Sequence, residues 1–340
     1  MSTTHEVPLG PTGFDITRVG LGAWAIGGPW EKGWGDQDDA ESVATIMYAI
    51  EAGVSWIDTA AVYGRGHAET VIGEALASLP EDERPTVLTK CGRFEGHELG
   101  SGKLGNPKAI RQGCEESLER LRTDGLDCLQ LHWPPDDVPV ELTWQTMAEL
   151  KEEGKCASLG ASNCSVEQLT SMHEIAPVEV VQPPLSLINR TVLGDVVPWA
   201  HEHGAAVIVY SPMQSGLLTG SYHQRAELAA DDWRRESPEY MRPKIERNLD
   251  LVERLRPIAD GLGASVSELA IAWVLTRAGV TAAIVGARRP EQVDGWVGAA
   301  DLELDEAALA AIAAAVEESG AGQGPLGDAV SRDHGDLVGG

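Results

Sequence analysis

Basic residues are scarce in this chain. Its 340 residues include 26 Lys and Arg against 53 Asp and Glu, for a formal net charge of −27. That field repels nucleic acid and anionic membrane surfaces, so neither is expected as a partner. An anionic ligand would need a locally basic site inside an acidic envelope. Long apolar runs are missing too, and no stretch approaches membrane-spanning length. The first residues, Met1-Ser-Thr-Thr-His-Glu6, carry no cationic stretch leading into an apolar one. A secretory leader is therefore not expected, and the protein is read as cytoplasmic. Cys91, Cys114, Cys128, Cys156 and Cys164 are odd in number and show no C-x-x-C spacing, so they read as reduced thiols. Also absent is the G-x-G-x-x-G turn of an open dinucleotide-binding sheet. Gly20-Leu-Gly-Ala-Trp-Ala-Ile-Gly27 lacks that spacing and runs into a long loop, which excludes the Rossmann reading.

What is present fits a soluble globular protein with a sizeable core, at 43% hydrophobic and 23% charged residues. Segments 6–9 and 14–17 flank Gly10-Pro-Thr-Gly13 and predict a short N-terminal hairpin. Buried strands are then predicted at 19–21, 54–58, 86–91, 127–132, 157–161, 178–182, 206–210 and 281–285. Helical patterns lie between them at 39–52, 67–79, 107–122, 140–153, 165–175 and 193–203, with two more at 246–261 and 265–278. Apolar, β-branched strands with a helix after each imply a parallel sheet. Eight such units predict an α/β fold, a closed (β/α)8 TIM barrel with long loops at the C-terminal face of the strands. One domain over 1–317 is expected, with a polar insertion at 213–245 after strand seven that holds Asp231, Asp232, Trp233, Arg234 and Arg235. A Gly-rich, acidic tail, surface-draped or mobile, follows at 318–340.

Active sites of such barrels sit at the C-terminal strand ends. Strand two ends in Asp58 with Tyr63 beyond it, strand three in Lys90, and strand four in His132. Taken singly, a capping Asp, a packed Tyr, a solvated Lys and a structural His would each be unremarked. Four at one mouth form a proton-transfer group. Lys90 beside Asp58 would be held as an ammonium, and its charge near Tyr63 is expected to lower the phenol's pKa from about 10. A phenol so tuned could protonate a developing alkoxide, with His132 orienting the carbonyl oxygen.

Over about 6–316 the chain resembles the aldo-keto reductases. The resemblance rests on Gly20-Leu-Gly, Asp58-Thr-Ala-Ala-Val-Tyr63-Gly, Thr89-Lys90, Leu129-Gln-Leu-His132-Trp, Gly160-Ala-Ser-Asn163, Tyr210-Ser-Pro and Gly286-Ala-Arg-Arg-Pro-Glu-Gln292. Gln182-Pro-Pro and Ser211-Pro-Met-Gln-Ser-Gly-Leu-Leu218 place it nearest the bacterial, inositol-operon-like and potassium-channel-β-like branches. The resemblance implies a catalytic tetrad of Asp58, Tyr63, Lys90 and His132, with hydride from NADPH and a small carbonyl or alcohol as substrate. It implies that Ser162, Asn163 and Gln182 hold the nicotinamide carboxamide and that Tyr210 stacks on the ring. Ser211, Pro212, Gly216, Leu217 and Leu218 would line the ribose and pyrophosphate, and Gly286, Arg288 and Gln292 the adenosine end. Arg288 and Arg289 supply local positive charge for a 2′-phosphate, which favours NADP(H) over NAD.

Two departures stand out. The family's Gln-x-x-Tyr-Ser is here Gln182-Pro-Pro-Leu185-Ser186, without the aromatic, and the Glu-Asn pair after the Gln292-like residue is here Gly295-Trp296. Ten Trp against two Phe offer a hint to the substrate. Trp24 and Trp133 are expected to line the pocket as an aromatic wall for a sugar, polyol or flat carbonyl. Trp56, Trp144, Trp199 and Trp273 are expected in the core. His201-x-His203 is read as surface, because that spacing on a helix splays the rings apart, and no metal site is expected. Two rival readings were weighed: a slow-turnover NADPH-binding redox-regulatory subunit, and a barrel hydrolase needing paired carboxylates, of which only Asp58 is evident.

Overall fold

Several helices begin in this chain where a short polar residue satisfies a first free backbone N–H group. Asp38 caps α1 (Asp39–Glu51) by accepting from Glu41 N at 3.0 Å. Asn106 caps α3 (Pro107–Leu121), with a proline in its first turn. Ser165 and Ser265 form reciprocal capping boxes with Gln168 and Glu268 at α5 (Val166–His173) and α8 (Val266–Leu275). The other helices are α2 (His67–Leu76), α4 (Val140–Glu152), α6 (Val196–Glu202), α7 (Lys244–Gly261), α9 (Pro290–Asp294) and α10 (Glu306–Ser319). The structure is a computed structural model that describes residues 6–222, 228 and 232–330.

β1 (Glu6–Pro8) and β2 (Asp15–Thr17) pair antiparallel as the expected hairpin. Eight strands then close a parallel barrel in chain order: β3 (Val19–Gly22), β4 (Trp56–Asp58), β5 (Thr86–Cys91), β8 (Leu126–Leu131), β9 (Cys156–Ser162), β10 (Val180–Gln182), β11 (Ala206–Val209) and β12 (Ala282–Gly286). β12 pairs with β3 from Ala283↔Val19 to Gly286↔Gly22 and shuts the seam. Between β5 and α3 stands an outlying hairpin, β6 (Arg93–His97) with β7 (Gly100–Lys103).

Two apolar clusters divide the interior. The larger fills the space between sheet and helices and contains Trp144, Trp199 and Trp273. The smaller lies inside the barrel and contains Leu9, Ile16, Trp56, Leu88, Cys128, Val180, Ala206, Ile208, Ala282 and Ile284. Leu9 and Ile16 come from the N-terminal hairpin segment, which thereby plugs the lower end. Trp56 lies across Gly20 so closely that a Cβ there would stand 2.0 Å from the indole. The indole N–H donates to Thr17 O at 2.8 Å. All four tryptophans expected in the core are buried, as are all five cysteines, which are unpaired.

The barrel follows the expected strand order, with small shifts at the ends. Strand six begins at Val180 rather than at 178, and strand seven ends at Val209 rather than at 210. The β6–β7 hairpin and the helices α9 and α10 add elements that the strand–helix pattern did not contain. In the insertion, the described residues form 3-10 turns (Gln214–Thr219, Trp233–Glu236, Pro238–Tyr240), and Asp231 lies outside the described residues. The described part of the tail is draped over the barrel and tied there. Gln323 N donates to Ile188 O at 3.0 Å, and Val330 N to Thr276 O at 3.0 Å. Buried Arg190 and Arg277 donate to tail carbonyls of Gly324, Leu326 and Gly327. Residues 331–340 lie outside the described part.

Candidate active site

Alternate residues of a barrel strand face inward. Trp56, Leu88, Cys128 and Val180 belong to the inner apolar cluster. Two positions further along the same strands come Asp58, Lys90, Gln130 and Gln182, all buried. They form a polar layer directly above the apolar one. Lys90 Nζ donates to Asp58 Oδ2 at 2.5 Å and to Thr59 O at 2.8 Å. Asp58 Oδ1 accepts from Gln182 Nε2 at 2.7 Å and from Gln130 Nε2 at 3.3 Å. Both oxygens of the carboxylate are thus satisfied, as a charge taken out of water requires.

Tyr63 reaches this layer from the turn after β4. Gly64 makes the turn possible, since its φ is 58° and a Cβ there would meet Gly27 O. The phenol oxygen stands 3.4 Å from Lys90 Nζ, whose charge lies 5.2 Å from the ring centre. The Tyr63 ring meets His132 edge-on at 5.7 Å and Trp30 at 5.8 Å. The tetrad expected from the sequence is therefore assembled.

The electrostatics correct one expectation. Burial, and secondarily Asp58, pushes the Tyr63 pKa well above its ordinary value instead of below it. Asp58, paired with Lys90 at 2.5 Å, opposes the effect of the ammonium on the phenol. Burial lowers the Lys90 pKa, an effect that Asp58 opposes. Burial, then the charges of Lys90 and Arg93, drives His132 well below the usual imidazole range, so it stays neutral. Its Nδ1 is buried without a hydrogen-bond partner among the described residues.

Beside the tetrad, Ser162 Oγ donates to Gln182 O at 2.8 Å, and Asn163 Nδ2 donates to His132 O and to Ser162 Oγ, each at 2.9 Å. Tyr210 Oη donates to Asn163 Oδ1 at 2.7 Å, which tethers the ring beside the mouth. Ser162, Asn163, Gln182 and Tyr210 are thus one connected group. After β11 the backbone passes through positive φ at Ser211, Gln214, Ser215 and Gly216. Pro212, Leu217 and Leu218 are buried, the two leucines fully, so their side chains belong to the core.

The adenosine-end candidates lie apart, at the top of β12. Gly286 is exposed. Arg288 donates from Nε to Gln37 Oε1 at 2.7 Å, from Nη1 to Trp34 O at 2.9 Å and from Nη2 to Asp36 O. Gln292 Oε1 accepts from the backbone of Arg288 at 2.7 Å. Trp296, in place of the family's polar residue, is buried in the core.

Of the two tryptophans singled out, Trp24 packs against Trp34 and Trp233, with ring centres 5.7 and 5.5 Å away. Trp133 carries Lys103 at 5.3 Å from its ring centre. The indole that touches Tyr63 is Trp30 instead. Gln130 was not among the expected site residues, although it stands two residues before His132, the residue just beyond β8, and that shared parity is a usable signal.

Known proteins resemble the chain along most of its length. Residues 18–317 match the family model of the aldo/keto reductase family. The aldo-keto reductase YhdN of Bacillus subtilis is 35% identical over 296 residues, covering 85% of this chain and 88% of that protein. The NADH-specific methylglyoxal reductase of Escherichia coli is 32% identical over 321 residues, covering 89% and 95%. Among solved structures, the glycerol dehydrogenase AKR11B4 from Gluconobacter oxydans superposes with a TM-score of 0.83 at 35% identity, covering 94% of this chain and 97% of that one.

Proposed function

The chain belongs to the aldo-keto reductase family, and from that membership we propose that it is an NADPH-dependent oxidoreductase that interconverts a small carbonyl and its alcohol, with Tyr63 as the general acid and base. The observation that carries the reading is the buried run from Asp58 through Lys90 to Tyr63, with a neutral imidazole at the phenol's edge. A nicotinamide dinucleotide held at this site would supply or accept the hydride. Tyr63 Oη gives its proton to the oxygen of the reduced carbonyl. The raised phenol pKa keeps that proton in place at neutral pH, and Lys90 Nζ, 3.4 Å away, stabilises the phenolate left behind. Asp58 holds Lys90 in place. His132, uncharged, orients the carbonyl oxygen by donating a hydrogen bond.

The residues present fit a dinucleotide. Gln182 is buried, gives its amide N–H groups to the protein and has no donor to Oε1 among the described residues, as a nicotinamide carboxamide would need. Ser162 and Asn163 adjoin it, with Tyr210 beside them. The backbone from Ser211 to Gly216 and the exposed Gly286 permit close approach by ribose and phosphate. Arg288 is bonded to backbone carbonyls and an amide and has no carboxylate partner among the described residues, which favours a 2′-phosphate. One relative is named for NADH specificity, and two are named for activity on methylglyoxal and glycerol. Those names support a small, oxygen-rich substrate beneath the indoles of Trp24, Trp30 and Trp133.

The test is a panel of aldehydes, ketoses and polyols with both cofactors, run on the wild type and on Tyr63→Phe. We expect NADPH to be preferred, and Tyr63→Phe to lower kcat by about 10²–10⁴-fold while cofactor affinity is retained. Undiminished activity in Tyr63→Phe overturns the mechanism. Imperceptible turnover in the wild type with tightly co-purifying cofactor moves the protein to a redox-regulatory role.

A further inference from the structure

The two oxygens of Asp58 have different partners. Oδ2 takes Lys90, whereas Oδ1 takes two amide donors, Gln182 Nε2 at 2.7 Å and Gln130 Nε2 at 3.3 Å. Gln182 Nε2 also donates to Gln130 Oε1 at 2.9 Å. A carboxylate only accepts, so each glutamine must present its NH2 to Asp58. For Gln182 the consequence is that Oε1 is left over. For Gln130 it is that Oε1 lies where Gln182 can donate. Each amide therefore fixes the other's orientation. Gln130 is fully buried, and β9 makes room for it at Gly160, where a Cβ would stand 2.8 Å from Gln130 Cγ.

We propose that Gln130 is a positioning residue that couples the nicotinamide seat to the proton donor. It holds Gln182 with its carbonyl free for the carboxamide and shares the charge of the carboxylate that holds Lys90 against Tyr63. The inference rests on Tyr63 being the acid and base of the reaction. Gln130 itself touches neither substrate nor cofactor. It acts through Gln182 on one side and Asp58 on the other.

Two replacements separate this role from packing. Gln130→Met has a similar volume and no polar group. Gln130→Glu has the same shape and, when ionised, only accepts. In both, Asp58 loses a donor, so its charge acts less compensated on Lys90 and Tyr63 and favours their protonated forms. Alcohol oxidation needs the deprotonated phenol, so the acid limb of its kcat profile moves to higher pH. We expect about half a pH unit for Gln130→Met and about one unit or more for Gln130→Glu. Direct titration of the apoprotein with NADPH, followed by fluorescence, should show the Kd raised about three- to tenfold in Gln130→Met, where the Gln182 amide keeps Asp58 as its one acceptor, and near the wild-type value in Gln130→Glu, which still accepts from it.

Folding is checked by circular dichroism, and should Gln130→Met fail to fold, the isosteric Gln130→Glu still reads the pH limb, where an unmoved limb overturns the proposal. A folded variant whose limb and Kd match the wild type overturns the proposal. So does a variant that loses kcat with neither of them moved, since packing alone explains that result. The underlying reading fails separately. If Tyr63→Phe keeps its activity, the mechanism falls whatever Gln130 does. If Tyr63→Phe is inactive while both Gln130 variants behave as wild type, only the coupling falls.

Discussion

The lower and upper halves of the barrel interior are built by the same strands and differ by a two-residue step. At Trp56, Leu88, Cys128 and Val180 the inward face is apolar and forms a plug sealed from below by Leu9 and Ile16. At Asp58, Lys90, Gln130 and Gln182 the same face carries a charge pair and two amides. The contrast shows how the halves depend on each other. A dry floor keeps water from reaching the charges from below, which strengthens every electrostatic contact in the layer above. It also makes each unpaired group there costly. This explains why the carboxylate has three donors and why Lys90 has a backbone carbonyl as well as Asp58.

The largest break in this comparison is Lys90→Met, which leaves Asp58 buried without its countercharge. We expect a stability loss of about 3–5 kcal/mol in urea unfolding, partly recovered when Asp58 is replaced by Leu in the same chain. A loss below 1 kcal/mol, on the order of a surface pair, would show that water reaches the upper layer. Next comes Gly20→Ala in the floor, where the added methyl meets the Trp56 indole. Overpacking should lower stability by about 1–3 kcal/mol and leave kcat within about twofold, since the floor touches no reacting group. A large fall in kcat would show that the halves are mechanically coupled.

The smallest effect is one of pH. His132 is neutral in the folded protein, whereas an unfolded imidazole titrates near 6.5. Below that pH the unfolded chain gains a proton that the folded chain refuses. Stability is therefore full above about 6.5 and falls as the solution is acidified. Between pH 7.5 and 5.5 the loss should be about 1 kcal/mol more in the wild type than in His132→Gln. Equal slopes in the two proteins would mean that His132 is hydrated.

Much of this was legible in the sequence. Apolar runs ending in Asp58, Lys90 and His132 marked both the strands and the mouth, because the same alternation sets backbone pairing and side-chain direction. Gln130 had the right parity, but an amide inside a strand carries no charge that would draw notice. The direction of the Tyr63 shift was not legible. It comes first from the burial of the phenol and second from the nearness of Asp58, which are matters of position and not of residue type. The β6–β7 hairpin was hidden for another reason: Phe94-Glu-Gly-His97-Glu-Leu-Gly-Ser-Gly102 is rich in glycine and shows no clean alternation. α10 was not among the expected helices, although Asp305, whose side chain accepts from Ala308 N, and Gly320, left-handed in the structure, stand at its two ends.

The seam between β3 and β12 has a consequence in time. Arg18, just before β3, donates from Nε to Thr281 O, 263 residues away along the chain. During synthesis the edge of β3 must wait for almost the whole barrel to emerge before its last partner arrives. The hairpin that plugs the floor is therefore made early, while the cylinder it plugs becomes a cylinder only near the end.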